Sequence, residues 1–120
     1  MFPFWKLFLH NLAVNKIKNF VNIVKGQTIN FLGLKYPRAK KQLDVWYDEA
    51  KRGKWNSPSD IKQEYPKASI LKDKRVTFDI NGGEYSLIIK VEYEFQGIFI
   101  LFFGTHQEYD LIDANTISNY

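Results

Sequence analysis

The chain has 120 residues, 45% of them hydrophobic and 25% charged, the profile of one globular domain and too little for a second independent core. Its net charge of +4 is unevenly spread: residues 1–75 carry 13 Lys and 3 Arg against 6 acids, whereas residues 76–120 carry one Lys against 7. A basic half of this kind steers phosphates or acidic partners, and it also describes ordinary solvated helix faces.

The longest apolar run, the seven residues Ile98 to Gly104, falls far short of the roughly 20 that a helix needs to cross a bilayer, so no membrane role is expected. The absence of Cys excludes disulfides, thiolate metal sites and a cysteine nucleophile. His10 and His106 show no H-x-x-x-H or H-E-x-x-H spacing. Neither a metal nor a cofactor is expected.

Residues 1–20 combine Phe and Leu with basic residues and no acid, and they read as an N-terminal extension. Their apolar stretch ends at His10-Asn11, too early for a secretory signal, while Phe4, Leu7, Phe8, Leu12 and Ile17 approach the spacing of an interfacial helix. The domain proper is expected over residues 21–120. It opens with a short strand at Val21–Val24 and a helix near Thr28–Lys35, with Ile29, Leu32 and Tyr36 on one face. Pro37 starts a second helix, on which Ala39, Leu43, Trp46, Tyr47 and Ala50 form the apolar stripe and Gly53 marks the end. Ser57-Pro58-Ser59-Asp60 signals a short third helix with Ser57 as its cap.

The rest is strand. Val76–Ile80 alternates, Asn81-Gly82-Gly83 supplies a tight hairpin, and Tyr85–Tyr93 alternates again with Ser86, Lys90 and Glu92 on its polar side. Ile98–Phe103 is apolar on both faces, which predicts a central strand. The fold class is α+β, a small antiparallel-rich sheet with helices packed on one face.

The polar segment after that last strand holds the best candidates for chemistry. His106 can exchange a proton near neutral pH, Tyr109 offers a phenol, and Asp110 stands at i+4 to orient the imidazole. Thr105 with Glu108 also spells a capping box, so on spacing alone the segment reads first as a helix start, and the two roles are compatible. A second cluster, Lys72, Lys74 and Arg75 with Lys90 on the neighbouring strand, suits RNA phosphates or else a lysine-protected strand edge. Trp55 and Tyr65 could stack on bases if exposed. No nucleotide-cradling G-x-x-x-x-G-K or G-x-G-x-x-G and no G-x-S-x-G is present.

Six separated segments, taken together, carry a resemblance: Tyr36-Pro37 with Leu43 and Trp46-Tyr47; Trp55 to Lys62; Ala68 to Leu71; Arg75 to Ile80; Gly104 to Asp110; and Ile112 to Ala114. In order and spacing they resemble the HigB family of bacterial type II toxins, of the RelE/ParE superfamily, over about Val21 to Ile117. The resemblance implies a RelE-like fold and a cytoplasmic mRNA interferase that cuts messages, typically at the ribosome, under the control of a HigA-type helix-turn-helix antitoxin. It further implies proton transfer or substrate positioning by His106 and Tyr109, Asp110 as their orienter, and phosphate contacts by Arg75 and Lys74. Such chains usually begin near Val21, so residues 1–20 are expected to be either upstream sequence translated from a misplaced start or a true extension. Family members also carry arginines where this sequence has Ser86 and Leu101. Both a cutting toxin and a catalytically impaired relative that binds RNA or antitoxin remain open at this level.

Overall fold

A computed structural model of the chain describes residues 26–118; the extension at 1–20 and the expected strand at Val21–Val24 lie outside them. Helix α1 spans Gly26–Lys35, a 3₁₀ turn Pro37–Ala39 leads into α2 at Lys40–Arg52, and α3 spans Pro58–Glu64. Strands β1 (Ser69–Ile70), β2 (Arg75–Ile80), β3 (Tyr85–Glu92) and β4 (Gly97–Thr105) follow, and α4 (His106–Tyr109) closes the series.

The helices form where the periodicity places them, with Ile29, Leu32, Leu43, Trp46, Ala50 and Ile61 buried. One capping detail differs. The Ser57 side chain makes no capping bond, and Asp60 in the first turn instead accepts the Asn56 backbone N–H at 2.8 Å. The short strand β1, unforeseen in the sequence, pairs Ser69 with Thr77 and Ile70 with Val76. Two residues carry too little alternation to be read as strand.

The sheet is antiparallel in the order β1-β2-β3-β4. Asn81, Gly82 and Gly83 all take positive φ (58°, 68° and 94°) to turn β2 into β3, the conformation for which the two glycines are suited. Ile98–Phe103 is expected to be central, but among the described residues β4 lies at an edge and β3 has a partner on both sides. Its two-sided apolarity has another cause. Ile98, Ile100 and Phe103 join the main core under α1–α3, whereas Leu101 and Phe102 join Ile88 in a second cluster on the opposite face, covered by Tyr109, Ile112, Ala114 and Ile117. The register explains how adjacent residues share a face: Ile88 pairs with Phe102 and Ile89 with Ile100, so Leu101 is the extra residue of a β-bulge. Ser86, expected on a polar side, is buried between Asp79 and Gly104 on its neighbouring strands.

Candidate active site and cationic cleft

Helix α4 starts where β4 stops, and its position is fixed by three ties to one carboxylate region. Thr105 Oγ1 accepts the Glu108 backbone N–H at 3.1 Å, and Glu108 Oε1 accepts the Thr105 N–H at 2.8 Å, completing the capping box. The Tyr36 hydroxyl, from the loop after α1, donates to the same Oε1 at 3.0 Å. Gly104 leaves the room for this arrangement, since a Cβ there would stand 2.8 Å from the Phe102 ring and 2.9 Å from Glu108 Oε1.

The cap and the reactive group therefore coexist. The His106 backbone N–H donates to the Glu84 carbonyl at 3.0 Å, and its side chain stands out, 67% exposed, with Nε2 3.4 Å from Asp110 Oδ2. An exposed imidazole beside a carboxylate can take a proton, with the resulting charge balanced by Asp110. Tyr109 is half-buried, its ring 6.3 Å from that of Phe102, so packing sets its direction.

The Glu108 carboxyl is held below the ordinary glutamate range by the Thr105 backbone hydrogen bond first and by the Tyr36 hydroxyl as well. The sign of the linkage follows. As pH falls below the ordinary glutamate pKa of about 4.3, the unfolded chain takes up the proton first, so the stability this carboxylate contributes is lost through the acidic limb down to its folded pKa. Glu108→Gln is expected to flatten that limb, read as melting temperature against pH, and to lower stability at neutral pH by about 1 kcal/mol.

The basic cluster gathers around the β1–β2 turn. Asp73 and Lys74 both take left-handed φ (58° and 63°), and the Leu71 N–H donates to the Arg75 carbonyl at 2.9 Å. A lysine in this conformation costs roughly 1 kcal/mol, and the turn sets Lys74 outward. Lys90 lies directly across from Arg75 on β3, and Asp73, Lys74, Arg75 and Lys90 line an open cleft of about 370 Å³. Glu92, two residues along the strand from Lys90, takes both ammonium groups: Lys74 Nζ at 2.8 Å and Lys90 Nζ at 3.5 Å. Lys72 is exposed beside them. Arg75 has a structural engagement that the sequence did not indicate, since its Nη1 donates to the carbonyls of Ala114 at 3.0 Å and Ile117 at 2.7 Å, clasping the C-terminal segment to the sheet.

The fold thus assembles two groups without merging them. His106, Tyr109 and Asp110 sit at the end of β3 marked by Tyr85, and Lys74, Arg75 and Lys90 at the other, five residues or roughly 17 Å away, with segment 110–117 roofing the sheet between. Trp55 joins neither group. It is buried in the main core, stacked on Phe78, so it offers no face to a base. Glu92 went unnoticed as a site residue, although its place two residues from Lys90 on one strand puts both on the same face. The pairing of Tyr36 with Glu108 had no local signal, because the two lie 72 residues apart.

Residues 39–112 match the HigB_toxin family, described as the RelE-like toxic component of a toxin-antitoxin system. The chain belongs to the HigB toxin family. Its HigB relatives include the mRNA interferase toxin HigB of Escherichia coli strain K12, 30% identical over 96 residues that cover 78% of this chain and 92% of the relative. The mRNA interferases HigB of Escherichia coli O157:H7 and Shigella flexneri match to the same extent. A HigB-family toxin is one half of a pair, so an antitoxin is its partner. Among the described residues, no helix is long and apolar enough to cross a membrane and no cluster of His, Asp and Glu could hold a metal ion.

Proposed function

We propose that this chain is an endoribonuclease that cuts mRNA on the ribosome in the cytoplasm and is restrained by a HigA-type helix-turn-helix antitoxin. Its likeness to relatives named mRNA interferases carries the reading, and favours it over a relative that only binds RNA or antitoxin. The exposed His106–Asp110 pair on a braced helix start supports it chemically.

The reaction proposed needs no metal-bound water, because RNA supplies its own nucleophile. A base takes the proton of the 2′-OH, the 2′-oxygen bonds to the adjacent phosphorus, the bond to the 5′-oxygen breaks, and an acid returns a proton to that oxygen. The products are a 2′,3′-cyclic phosphate and a 5′-hydroxyl. His106 and Tyr109 serve as the proton-transfer or positioning groups, with Asp110 orienting the imidazole. Lys72, Lys74, Arg75 and Lys90 contact the phosphates that flank the scissile bond, consistent with the distance between the two groups.

Inducible expression tests the reading. Growth is expected to stop on induction and to resume when the antitoxin is co-expressed, with messages accumulating 5′-hydroxyl ends. Growth without arrest and intact messages would overturn it.

A further inference from the structure

Two lysines that line the cationic cleft share one carboxylate beside it. Glu92 spans two lysines from different strands, one oxygen toward Lys74 Nζ at 2.8 Å and the other toward Lys90 Nζ at 3.5 Å. A carboxylate with each oxygen against a separate ammonium has the charge and the hydrogen-bonding pattern of a nucleic-acid phosphate held by the same two lysines. The Lys74 hydrogen bond, its leading cause, pulls the Glu92 carboxyl below the ordinary range, so it stays charged at neutral pH. We propose that Glu92 is an internal competitor for phosphate, occupying between Lys74 and Lys90 the position that an RNA backbone phosphate takes when the chain binds its substrate.

The inference rests on the RNA-cleaving reading and adds a residue that sets how tightly RNA is held. Asp73 lines the same cleft and Glu94 acts on Lys74 from a distance, but Glu92 alone is seated between the lysines. Both lysine side chains are about half exposed, 50% for Lys74 and 43% for Lys90, so a phosphate reaches them by displacing one carboxylate and no packing. An exposed pair of this kind is weak, and displacement is correspondingly easy. With Glu92 seated, the three side chains carry a net +1, and without its charge they carry +2. Counterion release then gives a number. Each additional single-strand phosphate neutralised steepens the slope of log K against log salt by about 0.7.

The experiment measures binding of the full chain to a 2′-O-methyl oligouridine, which lacks the nucleophilic hydroxyl and stays intact, across a KCl series. Glu92→Gln is expected to bind roughly 3- to 10-fold tighter at low salt, with the slope steeper by about 0.7. The double variant Lys74→Gln with Glu92→Gln restores the net charge and is expected to return the slope to that of the unsubstituted chain, an outcome a merely structural role of Glu92 would not produce. Equal slopes and equal affinities for Glu92→Gln and the unsubstituted chain would overturn the proposal while leaving the RNA surface in place. If the unsubstituted chain and Glu92→Gln both fail to bind at low salt, the cleft is no RNA surface and the proposal falls with that part of the functional reading.

Discussion

His106→Ala is expected to reduce RNA cleavage by about 10²- to 10⁴-fold, the usual contribution of a positioned general acid or base, while the fold stands. The separation of the two effects comes from the geometry of α4. The imidazole is 67% exposed, and the only interaction of its side chain among those described is with the equally open Asp110 at 3.4 Å, so its removal empties no cavity. The ties that hold the helix start run through Thr105, Glu108 and Tyr36, which the substitution leaves untouched. Single-turnover cleavage of a message fragment, beside a thermal melt of the same sample, checks both halves. A variant that melts normally and cuts at the native rate would remove His106 from the mechanism. Asp110→Asn is expected to fall in the same direction by a smaller factor, because in the proposed reaction it only orients the imidazole that moves the proton.

The largest effect on stability is expected from Leu101→Arg. The family resemblance implies arginines at this position and at Ser86, and a guanidinium facing a phosphorane resembles an oxyanion-hole donor, worth about 10²- to 10³-fold in rate. The alternation of β3, which puts Ser86 on its polar side, favours Ser86→Arg over Leu101→Arg in the sequence, and the structure keeps that order for a different reason. Leu101 is the bulged residue of β4 and packs with Ile88 and Phe102 beneath Ile112, Ala114 and Ile117, an apolar cluster on that face of the sheet. Desolvating a charge without a partner costs several kcal/mol, and at roughly 4–8 °C for each, the melting temperature should fall by more than about 15 °C. Ser86 is equally buried, so the advantage of Ser86→Arg does not lie in an open face. It lies in the pairing: Asp79, directly across on β2, is exposed and within reach of a long cationic side chain. Ser86→Arg is therefore expected to fold and to cut faster than the native chain by up to about 10²-fold. Cleavage by the native chain at the rate of Ser86→Arg would show that its chemistry does not need the strand arginine.

The parts of this protein that depend on near neighbours along the chain were determined by the sequence alone. Helical spacing named Ile29, Leu32, Leu43, Trp46 and Ala50 as core, Asn81-Gly82-Gly83 named the hairpin, and the three-residue offset of Thr105 and Glu108 named the capping box. In each case the interacting groups lie within a turn or two, or within the period of one element, and residue type suffices to choose the geometry. The motif order also placed the chain in its family.

What depends on distant pairings was decided by the tertiary structure. β4 is apolar on both faces because two clusters, one on each side of the sheet, draw on it, and a single bulge assigns Leu101 and Phe102 to the same side. Arg75 is turned toward carbonyls 39 and 42 residues away, and Lys74 finds Glu92 at a distance of 18. Long polar side chains on a sheet choose among whatever partners the register brings within a few ångströms, and register is fixed by the packing of the whole domain, so the local sequence names the charges but leaves their partners undetermined.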